Sequence, residues 1–407
     1  MLSHPIVLRA ALAAALAASL SGQALQVYVL VGQSNMQGHA KVQTFDYIGD
    51  DPATAPLLAK MRSADGAPAV LEDVHVAYLT GGRGGDGEVT GRLTAGFGAR
   101  RDPQKSDDKI GPEFTFGIRM QELHEEPVLL IKCAWGGKSL HTDFRPPSAG
   151  PYPFSEQQRA QLLARGKDVE QTVAAKRDQT GVYYRKTVAY VREVLADLGA
   201  YHPGYDADAG HELRGFVWFQ GWNDMVDRGT YPQRDRPGGY DAYRDCLAHF
   251  IRDMRRDLEA PALPFVIGVM GVGGPVEAGQ RRAVHANFRA AMAAPAALPE
   301  FAGTVTAVPT DPFWSKELEE IGARIGKVSQ MARNLRNKNK RGPNADGSMT
   351  PAQQRAYLEE YRAEVVGAAD DAIYKRGASN GGYHYLGCAK TMAGIGVAFA
   401  EAAWSLR

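Results

Sequence analysis

The chain has 407 residues, and 47 lysines and arginines against 46 aspartates and glutamates give a net charge of +1, so no basic surplus exists for holding a polyanion and no nucleic acid partner is expected. A content of 44% hydrophobic and 23% charged residues is that of a folded globular protein, which excludes disorder as the dominant state.

The first 24 residues differ from all that follow: His4 and Arg9 precede an alanine and leucine run over 10–20, and Gly22-Gln23-Ala24 places small residues where a leader is cut. Residues 1–24 therefore read as a signal peptide, and a secreted or periplasmic protein is expected. The apolar run is about half the roughly 20 residues a bilayer crossing needs, so no stable membrane insertion is expected.

Short apolar runs bounded by Gly, Pro or polar clusters follow at 27–31, 74–79, 127–131, 215–219 and 265–270, with a weaker one at 304–308. Apolar on both faces, they read as central strands of a covered sheet. Helical patterns at 114–123, 183–198 and 240–258 alternate with them, which implies a mostly parallel sheet in an α/β fold. Residues 25–407 are expected to form a single domain with irregular insertions near 81–108 and 316–374. The first insertion is rich in Gly, Arg and Asp and reads as a surface excursion. The second is polar and helical, and Thr350, Pro351 and Gln353 spell a capping box. Just before it, Asn344-Ala345-Asp346-Gly347 resembles part of a calcium loop, but Gly342 and Gln353 stand where acidic ligands belong, so a capping turn is expected. Cys133, Cys246 and Cys388 allow at most one bridge and read as buried side chains; none has metal-ligand spacing.

In a parallel sheet, ligands gather outside the carboxyl ends of the strands. The first strand is followed by Gly32-Gln33-Ser34-Asn35-Met36, the third by Trp135-Gly136-Gly137, and the fourth by Gln220-Gly221-Trp222-Asn223-Asp224. Near the end, Asn380-Gly381-Gly382-Tyr383-His384 precedes an Ala-rich closing helix. Each has an ordinary reading as a cap, a turn or a surface residue. Together they offer a hydroxyl, backbone and amide donors and an imidazole at one rim, the parts of a nucleophilic catalytic site. Trp135, Trp222 and Tyr383 flank these residues and fit an apolar floor for a ligand as well as they fit core packing.

These blocks, with Ile110-Gly111-Pro112-Glu113, resemble the SGNH hydrolase superfamily, in its branch of sialate O-acetylesterase-like proteins and carbohydrate esterases of family six. The resemblance implies a flavodoxin-like, three-layer α/β/α sandwich with about five parallel strands. It implies Ser34 as nucleophile, His384 as base, and an oxyanion hole from Ser34, Gly136 and Asn223, with no metal or organic cofactor. The implied substrate is an acetylated carbohydrate. The oligomeric state stays open, as do two alternatives: a lipase or thioesterase for longer acyl chains, and a glycan-binding protein of weak activity. In this superfamily an acid commonly stands three residues before the histidine, where this chain has Gly381; Asp311, Asp224 or a backbone carbonyl are the candidates to replace it.

Overall fold

The computed structural model describes residues 22–82, 85–100, 108–276 and 282–407. The expected signal peptide lies outside the described residues except for its last three. Seven strands form the main sheet: β1 (Leu25–Gly32), β2 (Val74–Gly82), β3 (Gly85–Arg92), β4 (Val128–Ala134), β5 (His211–Phe219), β6 (Phe265–Val269) and β7 (Val305–Pro309). Their order is β3-β2-β4-β1-β5-β6-β7, and only β3 runs antiparallel. The helices used below are α1 (Ser34–Gln37), α2 (Glu113–Leu123), α3 (Val182–Ala196), α4 (Trp222–Val226), α5 (Asp241–Asp257), α6 (Ala283–Ala293), α7 (Lys316–Arg336), α8 (Pro351–Val365), α9 (Ala368–Gly377) and α10 (Ala389–Ser405).

Alternation along a strand shows why the sheet is covered twice. Trp218 packs on Phe250 of α5, while the next residue, Phe219, points to the opposite face and meets Phe399 of α10. Every residue of β1 is buried, as its apolar run demands. The result is the expected three-layer α/β/α sandwich. It has six parallel strands where about five were expected, because the weak run at 304–308 joins the edge as β7.

Part of the first insertion is β3, which pairs with β2 from His75–Arg92 to Gly82–Gly85. Its sequence, GDGEVTGR, is mostly exposed and has no apolar face, so the backbone ladder rather than side-chain burial holds it. The second insertion forms α7, α8 and α9 with a small core of Ile321, Val328 and Val366. Both halves of the Thr350–Gln353 capping box are present. Asn344 and Asp346 turn their side-chain oxygens onto the N–H groups of Met349 and Ser348, which makes this stretch a capping turn. All three cysteines are buried and unpaired. Among the described residues no helix is long and apolar enough to cross a membrane.

One buried charge anchors the rim. Lys132, in the middle of β4, is fully buried and donates to Glu113 Oε2 at 2.7 Å, the Gln37 carbonyl at 2.9 Å and the Phe97 carbonyl at 2.8 Å. It thereby ties the end of α1 to the start of α2. Lys132→Met strands the Glu113 carboxylate without its counterion, and a loss of about 3–5 kcal/mol is expected in urea unfolding.

Candidate active site

Register places three of the four sequence blocks together. Gly32 at the end of β1 lies level with Ala134 of β4 and Phe219 of β5, so the chain leaves all three strands at one height. A side chain at Gly32 would put its Cβ 2.1 Å from the Phe219 carbonyl oxygen, so only glycine lets the strands meet there. Two residues on, Ser34 opens the short helix α1 and is 7% exposed.

Gln33 organises this meeting point. Its Oε1 accepts from Gln220 Nε2 at 3.1 Å and from the Gly221 and Asn223 N–H groups at 3.3 and 3.4 Å. Its Nε2 therefore faces outward and donates to Asn223 Oδ1 at 3.1 Å. That bond turns Asn223 so that Nδ2 is the outward atom, where one hydrogen goes to the Gly137 carbonyl at 3.1 Å. Two hydrogens on Nδ2 leave a second for another acceptor. Gly136 sits close to Gln37, whose Oε1 would be 3.0 Å from a Cβ at that position.

The His384 loop is bent by two residues in the left-handed region, Tyr385 at φ 51° and Leu386 at φ 61°. Such backbone costs about 1–3 kcal/mol per residue and persists only where neighbours fix it. Here Tyr385 is buried, and its hydroxyl accepts from the Gly271 N–H at 2.7 Å and bonds Thr310 Oγ1 at 2.6 Å. The Leu386 carbonyl in turn accepts from the Ser379 and Asn380 N–H groups at 2.8 and 2.9 Å. The loop doubles back, and His384 Nδ1 comes to 3.0 Å from Asn380 Oδ1.

The tautomer follows from this network. Asn380 Oδ1 already accepts from the Gly381 N–H at 2.7 Å, which fixes the amide orientation. His384 Nδ1 must then carry the proton, leaving a lone pair on Nε2. Asn380 Nδ2 donates to His39 Nδ1 at 3.4 Å, and the His39 ring stacks on His384 with centroids 3.7 Å apart and planes 4° from parallel. Burial lowers the His384 pKa to about 4, so the imidazole is neutral at neutral pH. The Gly382–Gly387 turn carrying it packs against α1, which carries Ser34.

Neither aspartate suggested by the sequence reaches the imidazole. Asp224 is buried and accepts from the Leu140 and His141 N–H groups, Gln220 Nε2 and the Tyr231 hydroxyl at 2.6–3.0 Å, so it braces the loop after β4. Asp311 pairs with Arg289 at 3.5 Å. The partner of His384 is Asn380, four residues upstream rather than three; the Asn-Gly-Gly turn preceding the histidine was its only trace in the sequence. His39 left no trace there. Trp135 is 2% exposed with its Nε1 bonded to Asp86 at 3.0 Å, whereas Tyr383 is 49% exposed. A cleft of about 680 Å³ opens beside the site, with Gln37, His39, Trp135, Gly136 and Lys138 in its wall.

The family described as carbohydrate esterase, sialic acid-specific acetylesterase, matches residues 24–304, which hold Ser34, Gly136 and Asn223; Asn380 and His384 lie beyond the matched stretch. No curated protein matches the chain. Solved structures similar to it include an Arabidopsis thaliana protein at 16% identity, covering 70% of this chain and 85% of that one, with a TM-score of 0.37. A carbohydrate acetylesterase from Xanthomonas citri is similar at 14% identity, with 70% and 49% of the two chains covered and a TM-score of 0.35. NanS is similar at 15% identity, with 72% and 79% covered and a TM-score of 0.37. With the family match spanning well over half of its residues, the chain belongs to the sialic acid-specific acetylesterase family of carbohydrate esterases, enzymes that hydrolyse carboxylic esters.

Proposed function

We propose that this chain is an exported serine esterase, a single catalytic domain following its signal peptide, that removes O-acetyl groups from carbohydrate. Ser34 is the nucleophile, and His384 Nε2 takes its proton as the hydroxyl attacks the acetyl carbonyl. The Gly136 N–H, the Ser34 N–H and the second hydrogen of Asn223 Nδ2 receive the oxyanion. The imidazolium then protonates the departing sugar oxygen, which leaves as a hydroxyl, and water, activated by the same imidazole, releases acetate from Ser34. Asn380 replaces the usual acid: it orients the ring and fixes its tautomer without adding negative charge.

The observation that carries this reading is the pinned amide of Asn380, which holds the proton on Nδ1 of His384 and so leaves Nε2 the acceptor, on a loop packed against the serine-bearing turn. The test is acetate release from acetylated glycans set against hydrolysis of octanoyl esters, together with labelling by a fluorophosphonate. Acetyl esters are expected to turn over faster, and the label is expected on Ser34. Preference for octanoyl would indicate a lipase or thioesterase; sugar binding with no labelling would indicate a glycan-binding protein.

The depressed His384 pKa sets a pH expectation. Below about 4 the imidazole takes a proton and Nε2 cannot accept another, so kcat/KM falls there; above it the base is free. The acidic limb of the kcat/KM profile on an aryl acetate is expected well below the 6.5 of an ordinary histidine.

A further inference from the structure

We propose that a second cleft, on the far side of the His384 loop, is a sugar-binding subsite, so that the enzyme takes its acetylated sugar as one unit of an oligosaccharide rather than as a free monosaccharide. This rests on the esterase reading and adds the size of the substrate to it.

The cleft holds about 460 Å³, within the range of roughly 300–1,000 Å³ usual for small-ligand sites. Trp222, Tyr383, Trp314, His285, Arg282 and Glu319 line it. It is continuous with the catalytic rim through two of these. Trp222 immediately precedes Asn223, and Tyr383 immediately precedes His384. The Tyr383 ring lies 4.4 Å from the His384 imidazole and 6.0 Å from the Trp222 ring. An aromatic surface therefore starts at the base and runs outward into the cleft. A substrate whose ester sits at Ser34 and whose body extends past His384 lies on that surface. Tyr383, nearly half exposed, is otherwise an unexplained apolar side chain at the rim.

The lining is amphipathic in the way a pyranose requires. A sugar ring offers an apolar C–H face and a polar rim of hydroxyls, so it suits aromatic faces bordered by fixed hydrogen-bonding groups. Glu319 is such a group: Trp314 Nε1 donates to its Oε2 at 2.8 Å and Arg282 Nη2 to its Oε1 at 3.3 Å. Both oxygens keep lone pairs for hydroxyl donors. A long acyl chain would gain nothing here, since it would cover the guanidinium and the carboxylate with hydrocarbon and leave their remaining hydrogen-bonding capacity unmet.

The subsite also draws on chain beyond the family match. Trp314, Glu319 and Tyr374 come from the segment ahead of α7, from α7 and from α9, all beyond the family match at 24–304. Trp314 backs the catalytic loop directly, with its ring edge 3.7 Å from where a Cβ on Gly382 would lie. The helical insertion thus supplies a wall that the matched part of the chain lacks.

The experiment compares kcat/KM on O-acetylated sialyllactose with that on free O-acetylated sialic acid, and on an acetylated xylo-oligosaccharide with that on acetylated xylose, in wild type, Trp314→Ala and Glu319→Gln. Aryl acetate hydrolysis runs alongside as the measure of ester chemistry alone. In at least one pair the oligosaccharide is expected to be favoured about tenfold or more, and the variants are expected to bring that ratio toward one, chiefly through KM. A wild-type ratio near one in both pairs overturns the subsite even if Trp314→Ala fails to fold, as does a ratio both folded variants leave intact. Loss of aryl acetate hydrolysis in the wild type would instead overturn the esterase reading itself.

Discussion

Ser34→Ala is expected to lower kcat on an aryl acetate by about 10⁶, and His384→Ala by a similar factor, because nucleophile and base act as one unit. Without the hydroxyl there is no acyl-enzyme, and without Nε2 the hydroxyl stays protonated and weakly nucleophilic. The double variant should therefore lose little more than either single one. What activity remains comes from the donors around Gly136 and Asn223, which still stabilise an oxyanion formed by attack of water. Ser34 is a small side chain at the first turn of α1, so trimming it to alanine leaves the packing of that turn intact. Thermal unfolding is expected to be close to wild type, and burst-phase kinetics would register the missing acyl-enzyme. Equal acetate release by wild type and Ser34→Ala would end the nucleophile assignment.

The second large effect is expected at Asn380. Asn380→Ala removes the acceptor that holds the proton on His384 Nδ1, so the ring can rotate or adopt the wrong tautomer; a fall in kcat of about 10² to 10⁴ is expected. Asn380→Asp separates orientation from charge. The carboxylate still accepts from Nδ1 and from the Gly381 N–H, but its negative charge favours the imidazolium. The His384 pKa should rise from about 4, and the acidic limb of the kcat/KM profile should move to higher pH. A stronger base with a stabilised cationic form should keep or raise the rate at neutral pH. An unchanged profile in Asn380→Asp, with Asn380→Ala fully active, would show that the amide does not serve the imidazole.

Much of the fold was legible because its strands are apolar on both faces, a pattern that survives without any alignment. β3 was not, since its glycines and exposed polar residues carry no burial signal and its place comes from the ladder with β2. The rim blocks were legible because parallel strands deliver their carboxyl ends to one edge, and Ser34, Gly136 and Asn223 each follow such an end. Asn380 was missed for a geometric reason. Two left-handed residues after His384 fold the loop back on itself, and that bend, invisible in the residue types Tyr385 and Leu386, brings the residue four positions upstream onto Nδ1. Lys132 stands just past the apolar run 127–131 and carried no signal of its own, because a buried cation is recognisable only once its carboxylate and carbonyl partners are in place.

The wide sequence gap between the two halves of the site has a consequence for synthesis. Ser34 is made early, at the end of the middle strand, but the imidazole proposed as its base arrives only after every strand has been translated. Its loop is then clamped from behind: the Ser379 hydroxyl takes the Lys41 N–H at 3.2 Å, and the Ala389 N–H reaches Thr44 Oγ1 at 3.0 Å. A nascent polypeptide ending at α9 already contains every strand of the sheet yet lacks the proposed base. On the proposed assignment, competence to cut esters therefore waits for the stretch that immediately precedes α10.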